Sequence, residues 1–239
     1  MSKIRHAVLL CLLLLLAGCG RTGNVSGVQG TMTYEGPDTD RPISMQGDPT
    51  CAALHPQPVD GEEIALKDGK LANVFVYVKS GLEGKSFPVS AEKKHVDQRG
   101  CLFSPHVLGV QVGQTVEFTN ADSTLHNIHA LATANEESND PQAQGMPPVD
   151  KKFMKPEVMV PVRCDIHPWM SAWLGVVPHP FYAVSGEDGA FSIRNLPPGK
   201  YTLEAWHETL GTQTREVTVT PGRMVVVDFD LKPKGYSGR

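Results

Sequence analysis

Glu157-Val158-Met159-Val160-Pro161-Val162-Arg163 runs straight into Cys164-Asp165-Ile166-His167-Pro168-Trp169-Met170, and Ala172-Trp173-Leu174-Gly175-Val176-Val177 follows. Two β-branched runs around so short a connection predict two neighbouring strands. The loop between them carries a thiol, an imidazole and a thioether. Upstream, Thr115-Val116-Glu117-Phe118-Thr119 alternates so that Val116 and Phe118 share one buried face. It leads through Asn120-Ala121-Asp122 to Leu125-His126-Asn127, which brings a second imidazole from a separate part of the chain.

Outward from this loop, nearly every periodic stretch reads as strand. Val25–Tyr34 is β-rich and ends at Glu35-Gly36-Pro37, and the Pro-, Gly- and Asp-dense stretch 37–62 reads as loop. Leu71–Val78 has aromatic and β-branched filling, and Val107–Val112 precedes a turn at Gly113-Gln114. Residues 131–150 are polar and poor in β-branched side chains; an insertion loop and one short helix both fit them. After Pro178-His179-Pro180, turns at Gly186-Glu187-Asp188-Gly189 and Asn195-Leu196-Pro197-Pro198-Gly199 punctuate short alternating strands as far as Phe229. No segment has an amphipathic helix period. The 239 residues suffice for one large or two small domains, and the fold class is all-β, built from sandwiches.

One thiolate, two imidazoles and a weak axial thioether form the ligand set of a blue-copper electron-transfer site. Cys164, His126 and His167 would supply the plane and Met170 the axial position. Soft sulfur suits the reduced ion and imidazole suits both states, so geometry changes little when an electron moves.

Thr115–Asp122 followed by His126-Asn127 resembles the cupredoxin pattern, in which a strand and an Asn/Asp turn deliver the first His. The C-x₂-H-x₂-M loop is similar to that of amicyanins, as is His126-Asn127-Ile128-His129. The resemblance implies a cupredoxin-like Greek-key sandwich holding one mononuclear type 1 copper, with ligands His126, Cys164, His167 and Met170. It leaves out His129, since a residue three along a strand points away from the first. It also implies that His167 is the solvent-side electron exit, amid an apolar patch of Pro168 and Trp169. Val184–Leu203 resembles the carboxypeptidase regulatory-like (transthyretin-like) β-sandwich, which names a smaller fold and transfers no catalytic residue. Gly27–Tyr34 resembles that family's first strand. The expected division is a leader over 1–19, an N-terminal β segment with loops over 20–69 that could complete the C-terminal sandwich, the copper domain over 70–180, and the regulatory-like domain over 181–239.

A short basic head and an apolar run end in Leu16-Ala17-Gly18-Cys19, which resembles the bacterial lipobox. Lipidation of Cys19 would leave an extracytoplasmic, membrane-anchored lipoprotein; an ordinary leader with an incidental Cys is the alternative. Gly20 is not a retention-type Asp, which favours the outer membrane. Loss of residues 1–19 removes Lys3 and Arg5 and no acid, taking the net charge from −4 to −6. Such a chain argues against nucleic acid and favours transient redox protein partners with basic surfaces. Cys51, Cys101 and Cys164 remain. If Cys164 is a metal thiolate, Cys51 and Cys101 are free to pair as a disulfide; two buried thiols, or a second soft-metal site with His55 and His106, are the other options. His179 and His207 could form an accessory site or be ordinary loop residues, and Met146, Met154 and Met159 show no repeat.

The resulting expectation is a lipid-anchored blue copper protein that carries single electrons. Copper delivery or sensing, and a structural lipoprotein without metal, are the alternatives. Nothing in the sequence carries an enzyme signature, so no catalytic residue is expected.

Overall fold

The computed structural model describes residues 25–39 and 41–236; the leader and Cys19 lie outside the described residues. The strand Gly27–Tyr34 buries Val28, Met32 and Tyr34. It pairs antiparallel with Ala190–Arg194 and parallel with Met224–Val226 and Phe229–Leu231. The N-terminal strand therefore shares a sheet with the C-terminal segment. Across the core lies a second sheet in the order Tyr182–Val184, Phe75–Ser80, Gly199–His207, Gly211–Val219. Leu71, Val76, Ile193, Leu196, Leu203 and Phe229 fill the space between the two.

The expected boundary at residue 70 does not match this pairing. Phe75–Ser80 lies between Tyr182–Val184 and Gly199–His207, inside the sandwich built from the N- and C-terminal segments. An apolar β-branched run looks alike whichever sheet receives it, and only the long-range partner decides.

The other sandwich occupies the chain between Ser80 and Tyr182. One sheet runs Ser138–Gln142, His126–Ala130, Glu157–Arg163, Ser171–Val177, Val107–Gln111, and the facing sheet runs Val149–Lys152, Thr115–Asn120, Lys94–Arg99, Leu102–Ser104. Val96, Phe103, Val116, Phe118, Ile128, Val162 and Leu174 are buried between them. Each such side chain contributes roughly 1.5–3 kcal/mol by leaving water. Residues 131–150 thus contain one edge strand and the start of a second, and no helix. Ser138–Gln142 pairs with the whole of His126–Ala130, and buried Gln142 accepts a hydrogen bond from Gln98 Nε2 (2.6 Å).

Residues 37–62 are more ordered than a loop. Asp48 caps the short helix Pro49–Leu54, accepting the Cys51 N–H at 2.8 Å, with Pro in the first turn. Cys51 is bonded to Cys101, 50 residues away, so neither a pair of free thiols nor a second thiolate site exists there. The bridge Ile43–Val59 ties the two ends of this segment together. It forms a cap over one end of the inserted sandwich.

The two sandwiches meet on a flat apolar patch. Gly109 and Gly175 face each other across a parallel pair, and Phe75 and Tyr182 of the neighbour lie directly upon them. A Cβ at residue 175 would sit 2.5 Å from the Phe75 ring. Gly175→Ala should therefore lower the unfolding free energy by about 1–3 kcal/mol. Urea denaturation checks this, and an unchanged midpoint would show that the junction yields.

Beside the patch, buried His106 links three parts of the chain. Its Nδ1 lies 3.0 Å from Ser171 O and 3.4 Å from Glu62 Oε2 in the cap, and its Nε2 lies 2.5 Å from Glu208 Oε1 in the other sandwich. Burial alone would push its pKa down, but hydrogen bonds to Glu208 and Glu62 and their charges raise it from 6.5 to about 9. The folded state thus favours the imidazolium. Its stabilisation is complete below about pH 6.5 and is lost as pH rises towards 9, at most roughly 3 kcal/mol. Denaturation midpoints should fall between pH 6.5 and 9, and His106→Gln should flatten that slope.

Candidate metal centre

Strand register builds the centre. Arg163 pairs with Ser171 on one side and His129 on the other, so residues 164–170 form a closed loop beside the start of the His126 strand. Within the loop, the Cys164 N–H donates to Met170 O (3.3 Å) and the Met170 N–H to His167 O (2.9 Å). His126 Nδ1 lies 2.9 Å from His167 Nδ1, and Cys164 Sγ lies 3.7 Å from His167 Nδ1. All three residues are buried, and their donor atoms lie within 4.8 Å of one another. First-row metal–donor distances are ~2.0–2.1 Å to nitrogen and ~2.3 Å to sulfur, so one ion fits between donors so spaced. Met170 is fully buried in the same apolar cluster as Cys164.

The surrounding polar groups fix these donors. Asn127 Oδ1 accepts from Cys164 Sγ (3.3 Å) and from the Asp165 N–H (2.8 Å), and its Nδ2 donates to Asn139 (2.6 Å). It clamps the two ligand-bearing segments together. The His167 N–H points at Cys164 Sγ (3.4 Å). Such contacts to a sulfur ligand tune the electronics of a metal held there. Trp169 donates to Cys101 O (3.0 Å), and its ring lies 5.1 Å from that of His167.

Both imidazoles turn the same way. Nδ1 of each points inward, and Nε2 of each faces a carboxylate: Asp122 at 3.0 Å from His126, and Asp48 at 3.3 Å from His167. Asp122 also accepts the N–H groups of Gly100 and Cys101, each at 2.7 Å. The Cys51 N–H, first among several causes, holds the Asp48 carboxyl below its ordinary pKa. Burial foremost, with the neighbouring His167, pushes the His126 pKa down, although the Asp122 hydrogen bond opposes this. A carboxylate accepts and cannot donate, so the Asp122 hydrogen bond makes Nε2 the protonated position of His126 and leaves its Nδ1 with a lone pair. That lone pair faces His167 Nδ1 at 2.9 Å, with Cys164 Sγ beside them, so two imidazole nitrogens and one sulfur meet at one buried point. The donor set therefore fits a soft or borderline metal ion on its own chemistry.

Three of the four expected ligands converge, and the fourth is tied to them through the loop backbone. His129 stands apart, with Nδ1 3.0 Å from Asp165 and Nε2 2.8 Å from Glu137, and these acids raise its pKa. His179 and His207 are buried rather than solvated. Nε2 of His179 donates to Val78 O (2.8 Å), and neither belongs to a metal-capable group among the described residues.

One expectation is corrected. The side chain of His167 is 1% exposed, so it is no solvent-side edge. The cap lies over it, placing Asp48 against Nε2. Reading 37–62 as loop concealed this. Asp48-Pro49 was the available signal, an N-cap residue followed by Pro at the first helical position. Pro168 is exposed and Trp169 half-buried, so the expected apolar patch survives only in part. Asp122 and Asn127 lie within the quoted motif, but their roles depend on partners in distant segments.

A family model described as the carboxypeptidase regulatory-like domain matches residues 177–232. No curated protein sequence matches the chain. Among solved structures, a purple cupredoxin from Nitrosopumilus maritimus is 25% identical, covering 35% of this chain and 98% of that one, at a TM-score of 0.30. An oxidized amicyanin variant is 20% identical over 42% of this chain and 97% of its own, at 0.33. A Cu-containing nitrite reductase from Thermus scotoductus SA-01 is 22% identical, at 0.32; the match covers 61% of this chain and only 28% of the reductase. Overlaps this loose add nothing to the site, which rests on its own donors. The chain is an all-β protein that joins a carboxypeptidase regulatory-like sandwich to an inserted sandwich with a buried His₂Cys cluster.

Proposed function

We propose that this protein is a lipid-anchored type 1 copper protein that passes single electrons between extracytoplasmic redox partners. The observation that carries the reading is the convergence of His126 Nδ1, His167 Nδ1 and Cys164 Sγ in a buried pocket with no competing role for the thiol. Copper held there supplies a one-electron couple, and thiolate with imidazole supports both of its oxidation states. The chain's own part is to present the three donors already oriented and to keep water away. Anchoring rests on Leu16-Ala17-Gly18-Cys19.

The test is to add Cu(II) to the purified protein and record visible absorption. An intense thiolate-to-copper band that saturates at one ion per chain is expected. A colourless protein with weak, nonstoichiometric copper would defeat the reading. Loss of the bound ion to a competing chelator within seconds would point instead to copper delivery, since a carrier of electrons must keep its ion.

A further inference from the structure

The cap contributes more than cover. We infer that Asp48 is a positioning residue of the metal centre, acting on His167 from the side opposite the donor atoms. The inference rests on the copper reading above and goes beyond it, because Asp48 belongs to a segment outside both sandwiches. Three observations carry it. His167 Nε2 is fully buried, and no protein group is aligned with it as a good hydrogen-bond acceptor. The group that does face it, at 3.3 Å, is Asp48 Oδ2. The other oxygen of the same carboxylate is occupied by the Cys51 N–H, and Cys51 is bonded to Cys101, so the carboxylate is fixed from both ends.

The arrangement mirrors Asp122 on His126. Each imidazole has an acid behind it, and each acid is held by the turn or helix end around the Cys51–Cys101 bond. A carboxylate behind a ligating imidazole fixes ring orientation and raises the basicity of the donor nitrogen. It also places negative charge near the ion, which favours the more highly charged oxidation state. Asp48 should therefore strengthen Cu(II) binding at the centre more than Cu(I) binding, and hold the reduction potential down.

The helix cap allows a clean test, because Asn and Ser cap helices about as well as Asp. Asp48→Asn and Asp48→Ser should retain the cap and lose the charge facing Nε2. Affinities for Cu(I), Cu(II) and Zn(II) are measured by chelator competition, and the potential by redox titration. Both variants are expected to keep the thiolate-to-copper band, to bind Cu(II) and Zn(II) 10–100-fold more weakly, to lose less affinity for Cu(I), and to show a raised potential. Equal losses for Cu(I) and Cu(II), or affinities within threefold of the parent, would leave Asp48 a helix cap and overturn the inference. If the parent shows no thiolate-to-copper band, the copper reading falls separately. The Zn(II) comparison then still decides on Asp48 by the same thresholds.

Discussion

Cys164→Ser should abolish the visible copper band completely while leaving the metal-free protein folded. Cys164 carries the only free thiol among the described residues, the other two described cysteines being joined to each other. A serine oxygen is a hard, weakly acidic donor, so the charge-transfer transition disappears and affinity for Cu(I) collapses. The cost to the fold should be small. Cys164 sits between an acceptor, Asn127 Oδ1, and a donor, the His167 N–H, and a hydroxyl can satisfy both. A loss of no more than about 1–2 kcal/mol is expected, because a buried hydroxyl that keeps its hydrogen bonds carries little penalty. Absorption and electron paramagnetic resonance read the first part, and denaturation of the metal-free protein reads the second. A variant that retained the intense band would place the chromophore elsewhere.

That prediction uses residues visible in the sequence, and the contrast with the rest of the site is instructive. The loop Cys164–Met170 is legible because its donors are packed into seven residues between two runs of strand-forming side chains. Val116 and Phe118 are equally plain, since alternation encodes their burial directly. Lys94–Arg99 gives no such signal. It is mostly polar, and the Nε2 of its buried Gln98 donates to Gln142 from another strand. The strand Phe75–Ser80 is unmistakable as a strand, yet nothing local says which sandwich receives it. The cap is the hardest case. Its helix spans six residues, too few to show a period, and is held by a disulfide and by contacts with the ligand loop. Such structure is written in tertiary partners rather than in propensity. The three donors that converge could thus be read from the chain, whereas the groups that aim them could not.

Asp122 shows how much those aiming groups carry. Asp122→Ala should both destabilise the protein and weaken metal binding. The carboxylate accepts three hydrogen bonds, from Gly100 N, Cys101 N and His126 Nε2, and Asp122 is 6% exposed. The two backbone donors belong to the turn at Gly100 and Cys101, where both residues have positive φ (63° and 58°). For Cys101 that conformation is strained, because an L side chain crowds the backbone there. The carboxylate helps hold the turn in place. Truncation leaves buried donors without an acceptor, at about 1–3 kcal/mol each, so a loss of roughly 3–5 kcal/mol is expected in the metal-free protein. The third bond fixes His126 with Nδ1 inward. Its removal should cost a further 10–100-fold in metal affinity. Asp122→Asn should restore part of both, because Cys101 N and His126 Nε2 share Oδ2: a carbonyl oxygen there still accepts from each, while the amide is left facing the Gly100 N–H. Calorimetry of the metal-free forms and chelator competition on the loaded ones measure the two quantities independently. If Asp122→Ala lost stability but kept its affinity for the ion, the carboxylate would be a brace for the Gly100–Cys101 turn and not a partner of the ligand.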